Sequence, residues 1–276
     1  FVYSSCMDCS TLLQSPRPSS EVFEAHYKDS KSETIWASKF HPAIANVRRE
    51  KIFKPRAKKI LDIAEEHAKQ IDKIADIGAG SGLMLDEFRK IHPKSQLLAI
   101  EPSKILADSC RKKDIPVEED LIENIKNQER SCDLVTCFEV LEHVYDPLLF
   151  IKNISNLLKP GGLMIITTLS VDGFDIQFLW EKSEQISPPH HINFLSKKGF
   201  KHLFKRAGLN NIEVITPGVL DIDIVKNAIS KDEDLKENNL FLSKLISNQT
   251  FSNKFQSLIT ESGLSSHAWI IAEKPC

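Results

Sequence analysis

Three alternate glycines after a short apolar stretch are the strongest indication of a ligand site in this chain. The run Asp76-Ile-Gly-Ala-Gly-Ser-Gly82 contains Gly78, Gly80 and Gly82. Glycine lets the backbone turn sharply and approach a ligand, which a Cβ atom would prevent. A helix after such a turn offers unpaired N–H groups and the positive end of its dipole. The pattern predicts a site for a nucleotide-like ligand, although ordinary strand–helix turns also use glycine.

The spacing of the glycines argues against a dinucleotide. The dinucleotide pattern G-x-G-x-x-G would need a third glycine at position 83, which is Leu83. Glu101 ends the next apolar stretch, and a carboxylate there can accept hydrogen bonds from both hydroxyls of a ribose. A negative charge near a helix start is also favourable without any ligand. Glu101 therefore favours a ribose without choosing between cofactors.

Four motifs in the same order resemble those of class I S-adenosylmethionine-dependent methyltransferases. They are the Asp76–Gly82 loop, Glu101, Glu139-Val-Leu-Glu-His-Val144 and Leu157-Leu-Lys-Pro-Gly-Gly162. The third is similar to a motif of the ubiquinone-biosynthesis type O-methyltransferases. The resemblance covers about positions 70 to 216 and 268 to 273. It implies cofactor contacts at Asp76, Gly78, Ala79, Gly80, Gly82, Glu101, Pro102, Glu119, Asp120, Phe138 and Glu139.

Two of these acidic residues are alternatives for one role. In the family, an acid at the end of the third strand often accepts a hydrogen bond from the adenine amino group. Asp120 is the first choice and Glu119 the second, and a solvated charge at a helix start explains either one as well.

Two adjacent histidines are the candidate catalytic groups. His190 and His191 follow two prolines in Ser187-Pro-Pro-His-His191, beyond the fifth predicted strand. Loops at the carboxyl ends of parallel strands build the ligand crevice, and imidazole can take a proton from an attacking hydroxyl. One histidine could instead orient the loop through the backbone. His143 is interpreted as structural or as lying at the cofactor edge.

The N-terminal cysteines have the spacing of half a metal site. Cys6-Met-Asp-Cys9 and the Pro16-Arg-Pro18 stretch resemble the second knuckle of a zinc ribbon found in some small-molecule methyltransferases. Tetrahedral zinc needs four ligands, and the other cysteines lie in or beyond the predicted core. We therefore expect no complete metal site, and zinc only if an upstream segment supplies two more ligands. A redox pair and two ordinary thiols are the alternatives.

These residues need a scaffold of alternating strands and helices. The resemblance implies an α/β, Rossmann-like, seven-stranded, mostly parallel sheet of order 3-2-1-4-5-7-6, with helices on both faces. Residues 1–18 are the partial knuckle, 19–70 a helical cap, and 71–276 the methyltransferase domain with a helical insertion at about 218–266. Tyr27 and Trp36 of the cap could touch ligand. The insertion could shape a pocket or an oligomer contact.

Local patterns predict several element boundaries. The first strand covers 74–77, and its helix runs from Leu83 to Ile91. The third strand is placed at Asp114–Glu118 and the sixth at Asn211–Thr216. The amphipathic stretch Val47–Gln70 is interrupted at Pro55.

Composition indicates an ordinary globular enzyme. The chain has 276 residues, 41% hydrophobic and 27% charged, with a net charge of -2. This charge provides no general field for nucleic acid, so no nucleic-acid partner is indicated. No apolar run approaches the roughly 20 residues of a membrane span, and no signal peptide is evident. We expect a cytoplasmic protein, and the sequence is compatible with a homo-oligomer.

The predicted function is S-adenosylmethionine-dependent methyl transfer to a small-molecule acceptor. Oxygen of a sugar, secondary metabolite or quinone-like compound is the expected acceptor. Two alternatives stay open at this point. One is a non-catalytic S-adenosylmethionine-binding module, and the other is a nicotinamide-dependent oxidoreductase, which Leu83 and the Lys159-Pro-Gly-Gly162 turn disfavour.

Overall fold

The computed structural model describes residues 1–23, 47–67 and 70–276. Tyr27, Trp36 and about half of the predicted cap lie outside the described residues. Strands are numbered here along the chain. They are β1 Tyr3–Ser5, β2 Leu12–Gln14, β3 Lys73–Ile77, β4 Gln96–Ile100, β5 Val117–Glu118, β6 Cys132–Phe138, β7 Leu158–Leu169, β8 Asn193–Phe194, β9 Asn210–Ile215 and β10 His267–Glu273.

A seven-stranded sheet forms the centre of the molecule, in the order β5-β4-β3-β6-β7-β10-β9. The pairs from β5 to β7 are parallel, and β10 is antiparallel to both β7 and β9. Counting only the strands of this sheet along the chain, the order is 3-2-1-4-5-7-6, as the resemblance implied. The predicted fold class is confirmed.

Helices cover both faces of the sheet. The described helices are α1 Lys54–Glu66, α2 Leu83–Ile91, α3 Lys104–Arg111, α4 Pro147–Leu157, α5 Phe174–Leu179, α6 Lys197–Arg206, α7 Asp221–Lys231, α8 Glu233–Glu237, α9 Leu240–Ser247 and α10 Gln249–Glu261. One core lies beneath α4 and α6, and the other lies beneath α1 and α2. Successive residues of β10, such as Ile270 and Ile271, enter opposite cores because side chains alternate along a strand.

Two predicted boundaries were wrong for local reasons. Pro55 does not interrupt the helix, because a π-helical turn at Arg49–Phe53 leads into α1 and places Pro55 in its first turn. A proline there costs no intrahelical hydrogen bond. The strand predicted at Asp114–Glu118 is β5, and it is shortened to Val117–Glu118. The reason is that Asp114 takes a φ of 55° and the N–H of Ile115 bonds back to the carbonyl of Cys110.

The insertion is helical, as expected. Helices α7 to α10 pack against α5 and form a separate apolar cluster of Leu179, Ile222, Val225, Ile229, Leu235, Ile246 and Ile259. None of the described helices has the length and apolar character needed to cross a bilayer.

The N-terminal hairpin packs on the core. Strand β2 pairs antiparallel with both β1 and β8, with Leu12 opposite Phe194. Strand β8 begins two positions after His191. The hairpin therefore lies beside the loop Ser187–His191, which is called the histidine loop below.

Candidate cofactor and acceptor site

The glycine loop lies between β3 and α2, at the carboxyl edge of the sheet. Gly78 has a φ of 67°, and a Cβ there would meet Val140 Cγ2 at 2.7 Å. Gly80 also has a positive φ, of 56°, yet a Cβ on Gly80 would meet nothing within 4 Å. Gly82 begins α2. The loop therefore packs tightly against the β6 side at Gly78 and borders open space at Gly80, where a ligand has room.

Glu101 joins the tip of β4 to this loop. Its Oε2 accepts the N–H of Gly80 at 2.7 Å, and its Oε1 accepts the N–H of Ser103 at 2.9 Å. The side chain is buried, while Pro102 beside it is exposed. The structure thus brings together the two sequence features, glycine loop and strand-end acid, that indicated a ribose.

Asp76 lies near the end of β3, directly before the glycine loop. It is buried in the sheet, and Thr136 Oγ1 of β6 donates to its Oδ1 at 2.7 Å. Burial raises the pKa of Asp76 to about 7. The following residues are held by β4, since the N–H groups of Gly78 and Ala79 both donate to the carbonyl of Ile100.

The two adenine candidates have different surroundings. Glu119 Oε2 forms an ion pair with Arg111 Nη2 at 2.7 Å. Asp120 is exposed, and its Oδ1 accepts the N–H of Leu121 and the Nδ2 of Asn124, both at 2.7 Å. These hydrogen bonds lower the pKa of Asp120 and keep it ionised. An adenine contact by either residue stays a prediction, and Glu119 would first have to leave its arginine.

Glu139 is held in a left-handed backbone conformation at the end of β6, with a φ of 53°. Its N–H donates to the carbonyl of Thr167 at 2.9 Å, and Thr167 Oγ1 donates to Glu139 Oε1 at 2.7 Å. Non-glycine residues in this region of φ are strained and cluster at functional sites. The strand end is therefore built to present this carboxylate.

Arg56 and His267 complete the surroundings of Glu139, and neither was predicted from the sequence. Arg56 Nη1 lies 3.6 Å and His267 Nδ1 lies 3.5 Å from Glu139 Oε1. Arg56 also stacks over the ring of Phe138, with 5.2 Å from Cζ to the ring centroid. Trp269 Nε1 donates to His267 Nε2 at 3.0 Å, so Nε2 is the acceptor and Nδ1 carries the proton. Burial lowers the pKa of His267 and keeps it neutral.

The histidine loop meets His143. The Nδ1 of His143 donates to the carbonyl of His190 at 3.0 Å, and that of His191 donates to the carbonyl of Gln185 at 2.6 Å. The rings of His143 and His191 pack edge to face, 4.7 Å between centroids. Burial lowers the pKa of His191, and lowers that of His143 to about 4. Both rings are neutral, with Nε2 as the lone-pair nitrogen.

Glu142 adds a third ligand-type group to these histidines. One ligand atom from each of Glu142, His143 and His191 lies within 4.8 Å of the others. Glu142 is buried, accepts Thr168 Oγ1 at 2.6 Å, and burial raises its pKa to about 8. Neutral imidazoles whose Nδ1–H groups point at carbonyls are typical metal ligands. These three residues could hold a divalent cation, at a place that the cysteine spacing did not indicate.

Cys6 and Cys9 lie in the turn of the N-terminal hairpin. Cys9 Sγ contacts Thr11 Oγ1 at 3.2 Å. The backbone N–H of Cys9 is the largest of several hydrogen bonds that lower the pKa of Cys6. Half of a zinc site here stays a prediction.

The comparisons with known proteins agree with this geometry. Residues 48–214 match the model of a family described as a methyltransferase domain. A ubiquinone biosynthesis O-methyltransferase of Xanthomonas campestris pv. campestris (strain B100) is 30% identical over 103 residues, 36% of this chain and 43% of that protein. The chain thus matches less than half the length of that curated relative.

Solved structures share the fold at low identity. The plantazolicin methyltransferase BpumL, determined with S-adenosylhomocysteine and a pentazolic desmethylPZN analogue, has a TM-score of 0.59 and 16% identity, covering 92% of this chain and 95% of that one. A SAM-dependent methyltransferase of Archaeoglobus fulgidus has a TM-score of 0.56 and 17% identity, covering 86% of this chain and all (100%) of that one.

The sheet order and the glycine loop define a class I S-adenosylmethionine-dependent methyltransferase. The family model spans more than half of the chain, so the chain belongs to this methyltransferase domain family. The sequence-based assignment is confirmed, and S-adenosylmethionine is the cofactor that the family implies.

Proposed function

We propose that this protein transfers a methyl group from S-adenosylmethionine to a small-molecule acceptor, with oxygen as the acceptor atom. The observation that carries the proposal is the open space beside Gly80. The backbone N–H of Gly80 donates to the carboxylate of Glu101, at the end of the neighbouring strand. The O-methyltransferase relative supports oxygen, and a sugar, secondary metabolite or quinone-like compound is the proposed acceptor class.

The residues present fit the cofactor. Gly80 leaves the room that a bound ligand needs, and Glu101 stands where it can accept hydrogen bonds from ribose hydroxyls. Asp120 is our candidate acceptor for the adenine amino group, with Glu119 as the second choice. S-adenosylmethionine supplies a methyl group activated by a positively charged sulfur. The protein's main contribution is alignment, which can lower a barrier by roughly 7–11 kcal/mol.

We infer that the acceptor side is formed by the histidine loop and by the neighbours of Glu139, a residue that the resemblance assigns to the cofactor. Glu139 and the histidine loop lie at the carboxyl edge of the sheet, after β6 and β7. Either His190 or His191 would take the proton of a poorly acidic hydroxyl, whereas an acidic phenol needs no base. Burial of His191 favours its neutral form, which is the form a base requires.

Calorimetry with S-adenosylhomocysteine and NAD tests the cofactor assignment. We expect the sulfur compound to bind and NAD not to bind. Gly80→Val should abolish this binding because the side chain would fill the open space. Gly208→Val is the matched control, because Gly208 also has a positive φ and open surroundings but ends α6. Binding of NAD alone would overturn the assignment in favour of an oxidoreductase.

A methyl-transfer assay separates an enzyme from a non-catalytic binding module. The protein is incubated with methyl-labelled S-adenosylmethionine and fractionated small-molecule pools, and labelled products are identified. We expect label on oxygen in one or more fractions. Tight cofactor binding with no transfer to any fraction would favour the binding module.

A further inference from the structure

Several cationic side chains collect beside Glu139. Arg56 is largely buried, with 15% of its side chain exposed. Arg48 is half-buried and directly precedes the π-helical turn that leads into α1. Arg48 interacts electrostatically with both Glu139 and Arg56. Lys59 Nζ lies 5.0 Å from the ring centroid of Trp269, and Arg56 Cζ lies 5.9 Å from the same centroid. Three cationic side chains, Arg48, Arg56 and Lys59, therefore group around Glu139 and Trp269.

The two arginines differ in how their donors are used. Arg56 contacts Glu139 Oε1 at 3.6 Å and His267 Nε2 at 3.2 Å. Arg48 stacks on Phe53, with Cζ 5.2 Å from the ring centroid. Among the residues that the structure describes, Arg48 has no ion pair and no hydrogen bond. A guanidinium that is partly desolvated and unpaired is costly until an anion reaches it.

The neighbouring Arg49 shows that acidic partners exist nearby. Arg49 Nη1 bonds to Asp86 Oδ2 at 2.6 Å and to Glu87 Oε1 at 2.7 Å, both on α2. The two consecutive arginines thus differ: Arg49 forms ion pairs with two carboxylates of α2, whereas Arg48 interacts with Glu139 at longer range and forms no direct ion pair with a described residue.

We propose that Arg48 binds an anionic group of the acceptor, so that the acceptor is a small molecule carrying a carboxylate or a phosphate. The planar fork of guanidinium donors matches both groups in bidentate geometry. Arg48 is the better candidate than Arg56 because its donors are not already engaged. This inference rests on the proposed methyl transfer, and it adds the charge class of the acceptor.

The test measures binding of matched probes to the protein saturated with S-adenosylhomocysteine. One arm compares 4-hydroxybenzoate with 4-hydroxybenzamide, and the other compares glucose 1-phosphate with glucose. We expect an anionic member to bind at least tenfold more tightly than its neutral partner in one arm, which also identifies carboxylate or phosphate. The preference should weaken as salt is raised, because charged contacts are screened.

Three variants assign the preference to Arg48. Arg48→Met should remove it, Arg48→Lys should restore part of it, and the control Arg49→Met should leave it unchanged. S-adenosylhomocysteine affinity should stay within about twofold in all three. Equal binding of charged and neutral probes to the parent protein would overturn the proposal, as would a loss of cofactor affinity in Arg48→Met that matches its loss of probe binding.

The same measurements keep this proposal separate from the proposed function. If the parent protein fails to bind S-adenosylhomocysteine, the methyltransferase assignment fails. If it binds the cofactor product and shows no preference for anions, only the role of Arg48 fails.

Discussion

At the scale of single residues, Glu101 holds the backbone of the glycine loop in addition to its proposed contact with the ligand. Its carboxylate accepts N–H groups from Gly80 and Ser103, so it shapes the loop that it is proposed to share with the ribose. A charged hydrogen bond contributes about 1.5–3 kcal/mol. The consequences of removing this residue can therefore be stated in advance.

Glu101→Ala should weaken S-adenosylhomocysteine binding by about tenfold to a hundredfold, following the magnitude of a charged hydrogen bond. The protein should stay folded, because the core strands on both sides of the loop are unaffected. Calorimetry measures the affinity, and thermal unfolding shows whether the variant is folded. Glu129→Ala, at an exposed position, is the control. Unchanged affinity would mean that another residue holds the ribose.

Glu142, His143 and His191 should bind a divalent cation once the protein has been stripped with a chelator. Calorimetric titration with Mg²⁺, Mn²⁺ and Zn²⁺ measures the affinity. His191→Ala should weaken the tightest of these by at least about tenfold, because one of three ligand atoms is lost. His190→Ala, the same change at the neighbouring histidine, is the control. Equal affinities of the two variants would show that the cation binds elsewhere.

His190 is the candidate base if His191 serves as a ligand. His190→Gln should then keep cofactor affinity while turnover of a hydroxyl acceptor falls by roughly 10²–10⁴. Near-parental turnover would remove His190 from the mechanism, leaving alignment alone as the source of catalysis.

At the scale of elements, a buried acid pair joins the helical insertion to the core. Asp175 at the start of α5 is fully buried, and the side chain of Asp221, at the start of α7, lies beside it. Burial, reinforced by Asp221, raises the pKa of Asp175 from 3.8 to about 6. The folded protein therefore binds this proton more tightly than the unfolded chain does.

The sign of the pH effect follows from that difference. The stabilising contribution of protonated Asp175 is complete below about pH 4 and is lost as the pH rises through about 6. A shift of this size corresponds to about 3 kcal/mol. Asp175→Asn should be more stable than the parent at pH 7 and should flatten this part of the profile.

Urea unfolding between pH 4.5 and 8 checks this prediction, with the exposed Asp223→Asn of α7 as control. The difference between parent and variant isolates Asp175 from the other buried acids. A variant that follows the parent profile in parallel would show that the proton resides elsewhere.

At the scale of the whole molecule, local pattern and family resemblance predicted the scaffold well. Helix α2 was predicted with its observed ends, because a glycine turn and an amphipathic period mark both boundaries. The sheet order came from the resemblance. Pro55 was misjudged because a proline in a first helical turn has the same sequence appearance as one that breaks a helix.

The acceptor side could not be predicted in the same way, since it is assembled by tertiary packing. Arg56 and His267 are 211 positions apart and meet only because α1 packs across β10. Glu142 and His191 likewise come from different loops. No spacing rule connects such residues, whereas the cofactor side is built from one continuous strand, turn and helix.

The pairing of β2 with β8 has a practical consequence for handling the protein. Strand β8 carries Phe194, which is fully buried, and its outer edge is covered by β2. Removal of residues 1–18 would uncover a hydrophobic strand edge, and such edges template intermolecular pairing. A shortened version should therefore self-associate during expression.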